Sequence, residues 1–373
     1  MNELRVGHGS RLFMAVALLT IAMPLLAAGV DALPTADQVV ARYIEARGGY
    51  EKIKKIRTLI YRGIYHEGDY VSPEAAMALM RPYYKLVGDP DRLSNNFREG
   101  YDGGAWEFYG DPGVVLRTVG AAAAASRHGL AIDGPLVDYR QKGTTVTVAG
   151  VEPIAGRSAY RLLVRMRDGF EEEEFLDAET WLLIAARKVA PIHAFGKVVA
   201  SETRFGDFKP VEGVLFAHSD REVEIATGKV LSEMTWTSIT VNQELDPAVF
   251  SPPVFKHTPL QQLLEQLFAE RSDVEAVLWS YRDFRRGRPD VQTNEGMEFI
   301  GYQMLKMGDH AAALALLKVN AADYPRSSGA AFGLGRAYRT AGKLSEARAE
   351  FQRALSLDPE NKRAREALRD LAK

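Results

Sequence analysis

The chain has 373 residues, 46% of them hydrophobic and 26% charged, with a formal net charge of −2. At about 100–200 residues per domain this length predicts two domains, and the near-neutral balance argues against general binding to nucleic acid or to an anionic membrane. There is no cysteine, which excludes disulfides, thiolate metal sites, cysteine nucleophiles and a lipid anchor on cysteine.

At the N-terminus, Arg5 and Arg11 precede the apolar run Leu12 to Val30, and Val30 and Ala32 stand at the −3 and −1 positions of a cleavage site. Residues 1–32 therefore read as a secretory signal. The run is long enough for an uncleaved span, but Pro24 and the Ala-rich end suit a signal better. Thr35 and Gln38 form a capping box, and Val39, Val40, Tyr43 and Ile44 share one helical face that Gly48 and Gly49 terminate.

Strands at short spacing follow. They are expected at Thr58–Tyr65, Ala75–Val87, Ala105–Tyr109, Thr144–Val148, Ala159–Arg167, Glu172–Asp177, Trp181–Val189, Lys197–Phe205, Val214–Ile225 and Lys229–Val241. Asp102-Gly103, Asp168-Gly169 and Thr227-Gly228 are hairpin-type dipeptides between them. Tyr160, Leu162, Val164 and Met166 alternate with Arg161, Arg165 and Arg167, the pattern of an antiparallel sheet with one wet face. A helix is expected from Val114 to Leu130, because Ala121 to Ala125 favour it.

Pro247, Pro252, Pro253 and Pro259 mark a boundary. Thr258 and Gln261 form a second capping box, with Pro259 at the first helical position. Two amphipathic stripes follow, Leu260 to Phe268 and Val274 to Tyr281. Beyond them Gly301 and Gly335, Gly308 and Gly342, Ala313 and Ala347, and Pro325 and Pro359 are each 34 positions apart. A fixed period of this length marks stacked helix–turn–helix repeats, which bind partners rather than catalyse.

Residues 328–361 resemble a tetratricopeptide repeat through Leu334, Gly335, Tyr338, Gly342, Ala347, Phe351, Ala354 and Pro359, and residues 294–327 match less fully. The resemblance implies a protein-binding scaffold. A second resemblance covers roughly residues 35–253. It rests on Tyr101 to Trp106, Asp111 to Gly113, Asp133 to Gly143, Gly156 to Tyr160, Phe175 to Leu182 and Asp246 to Pro252. Their order is similar to that of the periplasmic outer-membrane lipoprotein-sorting proteins of the Lol carrier superfamily. That resemblance implies an α+β fold, a curved antiparallel half-barrel closed by helices, holding acyl chains of a lipid or lipoprotein. The expected organisation is a signal at 1–32, a half-barrel at 33–256 and an all-α tetratricopeptide-type region at 257–373, with a cap pair at 259–286 and repeats at 294–327 and 328–361.

The candidate cavity residues are Met77, Leu79, Trp106, Phe108, Tyr160, Leu162, Val164 and Met166. Ordinary core packing competes with that role at each. Trp106 and Phe108 would suit the mouth, where an aromatic with a polar edge meets a head group. Arg282, Arg285, Arg286 and Tyr338 are the candidates for partner binding. The acidic run Glu171 to Glu174 reads as a solvated hairpin edge. No catalytic motif and no helical histidine pair is present, so no enzyme activity, metal or cofactor is expected. The functional reading is a non-catalytic periplasmic carrier, peripheral to membranes, whose repeats dock a protein partner. The alternative is an envelope-stress sensor or interaction scaffold of the same fold.

Overall fold

The computed structural model describes residues 33–68, 70–90, 97–119, 123, 126–191 and 198–371. The signal reading at 1–32 lies outside them, and among the described residues no helix is long and apolar enough to cross a membrane. The fold is α+β: one curved, open antiparallel sheet with helices, followed by an all-α region.

Helix α1 (Ala36–Ala46) starts at the expected capping box, in which the Thr35 side chain accepts from the Gln38 backbone and the Gln38 side chain accepts from the Thr35 backbone. It buries Val39, Val40 and Tyr43. A positive φ of 117° at Gly48 reverses the chain, and a Cβ there would fall 2.1 Å from the Gly213 carbonyl oxygen. Only glycine lets the helix end press so closely on the sheet. Helix α2 (Tyr50–Lys55) then leads into the strands.

The strands are β1 (Thr58–Glu67), β2 (Tyr70–Met80), β3 (Tyr84–Val87), β4 (Arg98–Tyr101), β5 (Ala105–Tyr109) and β6 (Val114–Arg117) in a first meander. The second holds β7 (Thr145–Ile154), β8 (Arg157–Arg165), β9 (Glu171–Asp177), β10 (Leu183–Pro191), β11 (Val198–Val211), β12 (Val214–Glu224) and β13 (Val230–Val241). The sheet order is β6-β5-β4-β3-β2-β1-β13-β12-β11-β10-β9-β8-β7. The two meanders are thus stitched by β1 against β13, with Leu59 opposite Val241.

Three expectations change here. Val114–Arg117 is the edge strand β6 rather than the start of a helix, since its β-branched and aliphatic residues pair with Trp106–Tyr109. Of the rest of the expected helix, Ser126–His128 are helical and residues 120–122 and 124–125 lie outside the description. The Ala75–Val87 stretch divides into β2 and β3 around a turn at Arg81–Tyr83, because Pro82 cannot donate to a ladder. The four-residue β4 was not anticipated: Arg98, Glu99 and Gly100 give it no apolar alternation.

Opposite sheet faces carry different cores. On the concave face, α1, α2 and the segment Ile132–Tyr139 cover Leu59, Leu79, Leu162, Val164, Leu176, Phe216 and Ile239. On the other face, Ile60, Ala78, Leu86, Trp106 and Phe108 pack with Phe250 of the short helical turn Pro247–Phe250. Each such large side chain, fully buried, contributes about 1.5–3 kcal/mol.

The helical region holds α3 (Pro259–Ala269), α4 (Val274–Gly287), α5 (Asn294–Met307), α6 (His310–Asp323), α7 (Ser328–Thr340), α8 (Leu344–Leu357) and α9 (Lys362–Asp370). Helix α3 covers the sheet edge. Its Leu263, Leu264, Leu267 and Phe268 join Val114 and Leu116 of β6 in one cluster. Glu265 Oε1 accepts from the Val115 amide at 2.8 Å, satisfying an edge donor that would otherwise template pairing. In the repeats, a Cβ at Gly301 would lie 2.7 Å from Leu317, and one at Gly335 would lie 2.6 Å from Phe351. The 34-residue glycine period therefore marks equivalent close helix crossings.

Candidate functional site

The concave face encloses a cavity of ≈ 500 Å³ between the sheet, α1 and residues 126–135. Tyr61, Met77, Leu79, Phe205, Phe216 and Trp236 line it from the sheet. Tyr61 packs against Trp236 at 4.8 Å between ring centroids and edge-on to Phe216 at 6.4 Å, forming an aromatic wall. At another part of the lining, His128 stacks on Phe170 at 3.8 Å. Its Nε2 lies 2.9 Å from Asp168 Oδ2.

The segment over the cavity is pinned by a buried carboxylate. Asp133 is 1% exposed and takes Lys142, Arg81 and Lys54 at 3.0, 3.2 and 3.3 Å. Burial would raise its pKa, but the three cations outweigh burial and hold it below the ordinary value. Lys54 also reaches Asp138 at 2.8 Å. Arg47, the C-cap of α1, lines the cavity and donates from Nη1 to the Tyr43 hydroxyl at 3.0 Å and the Asp133 carbonyl at 3.4 Å.

The cavity is not wholly apolar. Glu172 and Glu174 of β9, Lys188 of β10 and Asp220 of β12 also line it, beside the Lys85–Glu99 pair at 3.7 Å. The expectation of a solvated edge for Glu171–Glu174 holds only for the outward pair. Glu171 meets Arg165 at 3.4 Å, and Glu173 meets Arg161 at 3.4 Å and Arg187 at 3.7 Å. Period-two alternation then turns Glu172 and Glu174 inward. Glu174 is 2% exposed.

Burial pushes Glu174 well above the ordinary glutamate range, and the neighbouring Glu172 adds to it, against Arg47 and Lys142. Glu172 is raised by burial and opposed by Lys188. Burial lifts Asp220 to about 6, against a hydrogen bond from Trp236. Sequence reasoning missed these three residues and Arg47. The signal for the acids was present in the Arg161/Arg165 alternation on the partner strand, which fixes which glutamates face outward.

Of the residues singled out from sequence, Met77 and Leu79 line the cavity. Leu162 and Val164 lie in the packed core beneath α1 and the covering segment. Tyr160 stacks on Trp181 at 5.1 Å. Met166 is half-buried at the β8–β9 turn, its amide donating to the Phe170 carbonyl at 2.8 Å. Trp106 and Phe108 lie in the core of the opposite face, where Trp106 Nε1 donates to the Phe250 carbonyl at 2.9 Å.

In the helices, Arg282 is exposed, Arg286 lies 3.6 Å from Asp283, and Arg285 donates to the Val291 carbonyl at 3.0 Å. Tyr338 packs between neighbouring helices and carries Lys318 Nζ at 5.7 Å from its ring. A second ladder was not anticipated. Arg336 lies 4.0 Å over the Tyr302 ring, and Glu298 meets Arg336 at 3.7 Å and Arg363 at 3.4 Å. Among the described residues no group of three or more histidines and acids is placed to hold a metal.

The tetratricopeptide repeat family model matches residues 304–371. No curated protein matches the sequence. The solved structures similar to this chain include a DUF1329 family protein from Desulfovibrio piger, 12% identical, with a TM-score of 0.41, covering 58% of this chain and 97% of that one. A LolA superfamily protein from Nitrosomonas europaea is 12% identical, with a TM-score of 0.39 over 59% of this chain and 99% of that one. A domain from Vibrio parahaemolyticus, named for outer-membrane lipoprotein sorting, is 13% identical, with a TM-score of 0.37 over 58% and 97%.

Proposed function

We propose that this chain is an exported, non-catalytic carrier whose half-barrel holds the apolar tail of a lipid or lipoprotein while its helical repeats dock a protein partner. The observation that carries the reading is the concave cavity. Its ≈ 500 Å³ falls within the range of about 300–1,000 Å³ usual for ligand pockets. Its aromatic wall of Tyr61, Phe216 and Trp236 suits a hydrocarbon chain, which gains about 0.8 kcal/mol for each methylene taken from water. The ordered series of motifs from Tyr101 to Pro252 supports the same reading. The repeats offer the partner the face bearing Tyr302, Arg336 and Arg363, where arginines held over aromatic rings form an ordered surface at low entropic cost. In this reading the division between the two functions lies between residues 256 and 257.

The test is native mass spectrometry with lipid extraction on the full chain, expressed with export and purified without detergent. Ala186 lines the cavity, so Ala186→Phe fills it. A stoichiometric acylated adduct on the wild type, lost in Ala186→Phe at unchanged circular dichroism, is the expected result. A wild type that carries no adduct and takes up none from lipid vesicles overturns the carrier reading.

A further inference from the structure

The acids of the cavity are unaccounted for by a tail alone. Glu174 is 2% exposed, lines the cavity, and its Oε2 has no hydrogen-bond partner among the described residues. A buried polar atom without a partner is costly, so a retained one calls for an explanation. Its neighbours do not supply one. Across the ladder it faces Leu162 of β8 and Ala186 of β10, neither of which has a side-chain donor. Glu172, two residues along the same face, stands opposite Lys188.

Among the described residues, the charges around Glu174 leave no cation free to pair with it. From β9 comes Glu172, from β10 Lys188, from β12 Asp220 and from the C-cap of α1 Arg47. Lys142 acts on it from the covering segment but is bound to Asp133 at 3.0 Å and to the Gly134 carbonyl at 2.6 Å. Lys85 and Glu99 cancel as a pair. With Glu174 neutral, Glu172 and Asp220 face the two cavity cations, and ionising Glu174 leaves three carboxylates against those two. One of these, Arg47, already donates to Tyr43 and to the Asp133 carbonyl.

We propose that Glu174, with Glu172 and Asp220 behind it, forms a subsite for the ammonium group of an amine-headed amphiphile whose tail lies along the aromatic wall. This inference rests on the carrier reading and names the ligand class of the same cavity. Without ligand, burial favours the neutral form of Glu174. An ammonium beside it favours the carboxylate, so binding drives the Glu174 proton to solvent and leaves a charge-assisted hydrogen bond. A carboxylate-headed amphiphile gains no such contact and meets a second acid.

The test compares four probes by isothermal titration calorimetry on the full-length protein at pH 7, the alkyl probes below their micelle concentrations. They are dodecylammonium, dodecanoate, dodecanol and ethylammonium. The expected result is dodecylammonium binding about tenfold or more tighter than dodecanoate or dodecanol, with ethylammonium too weak to measure because it lacks the tail. In Glu174→Gln that preference collapses, so that dodecylammonium binds no more tightly than dodecanol. On the wild type alone, titrations in buffers of different ionisation enthalpy report release of about one proton with dodecylammonium and none with dodecanol, a readout independent of how the variant folds.

Equal binding of the three dodecyl probes overturns the ammonium subsite and leaves the carrier reading standing. Tighter dodecanoate also overturns the subsite, assigning the cavity to Arg47 and Lys188 instead. Ethylammonium as tight as dodecylammonium overturns the amphiphile class in favour of a free amine. Failure of all dodecyl probes to bind overturns the carrier reading together with the inference.

Discussion

Glu107 of β5 makes stability depend on pH in a way that one substitution isolates. It is 1% exposed. Its Oε2 accepts from the Tyr109 hydroxyl and its Oε1 has no partner among the described residues. Tyr109 packs edge-on to Phe299 of α5 at 5.1 Å, so the carboxyl sits where the sheet meets the helices. Burial pushes it from 4.5 to about 8, with Lys306 of α5 and the Tyr109 hydrogen bond opposing. Because the folded value is raised, its contribution is fully present below about pH 4.5, where both states are protonated. As pH rises toward 8 the unfolded chain releases the proton and the folded one keeps it, so stability falls by about 1.4 kcal/mol per pH unit.

The interval from 4.5 to about 8 sets a ceiling of about 5 kcal/mol for the loss at that rate. Glu107→Gln keeps an acceptor for Tyr109 and cannot ionise, so the loss disappears. Glu174 and Asp220 titrate in both proteins, and the difference between them isolates Glu107. Urea unfolding of wild type and Glu107→Gln from pH 4.5 to 8.5 should give curves that diverge with rising pH, the variant gaining by up to about 5 kcal/mol. Curves that stay parallel within about 1 kcal/mol would refute the reasoning, since they would mean Glu107 ionises in the folded protein at no greater cost than in water.

Asp133→Asn leaves Lys54, Arg81 and Lys142 without their shared buried anion. A loss of about 3 kcal/mol at pH 7 is expected, at the low end for a broken buried pair because the cations keep contact with water. Its folded pKa lies below 3.8, so the wild-type advantage is present above about that pH and fades on acidification, as urea midpoints at pH 7 and pH 3 would record. Leu162→Ala removes a fully buried side chain from beneath α1 and should cost about 2–5 kcal/mol; a loss under 1 kcal/mol by chemical denaturation would place Leu162 against an open cavity. Gly335→Ala drives a Cβ to 2.6 Å from Phe351 and should cost about 1–3 kcal/mol, seen as faster hydrogen exchange in α7 and α8 with the β1–β13 ladder unchanged.

Much of the architecture is local chemistry and is legible in the chain. The capping boxes at Thr35 and Thr258 form as their spacing requires. The hairpin dipeptides at Asp102, Asp168 and Thr227 fall in turns between paired strands. The glycine period of 34 returns as repeated close crossings against Leu317 and Phe351. Where local signals misled, a partner decided. Val114–Arg117 is drawn into the sheet by β5 and covered by α3, a contact between residues about 150 apart that no window of sequence contains.

The site divides in the same way. Alternation by itself determines which residues share a face: Tyr160, Leu162 and Val164 against Arg161 and Arg165, and Glu172 and Glu174 against Glu171 and Glu173. It does not determine which face is concave, nor what closes over it. Those depend on where α1 and the Asp133 segment dock and on β1 pairing with β13. Curvature and closure turn Met77 and Leu79 into cavity wall and Leu162 into packed core, and send Trp106 to the other side. They also change Glu174 from one acid in a charged run into a buried carboxyl, because the energy of an ionisable group is set by what surrounds it in three dimensions.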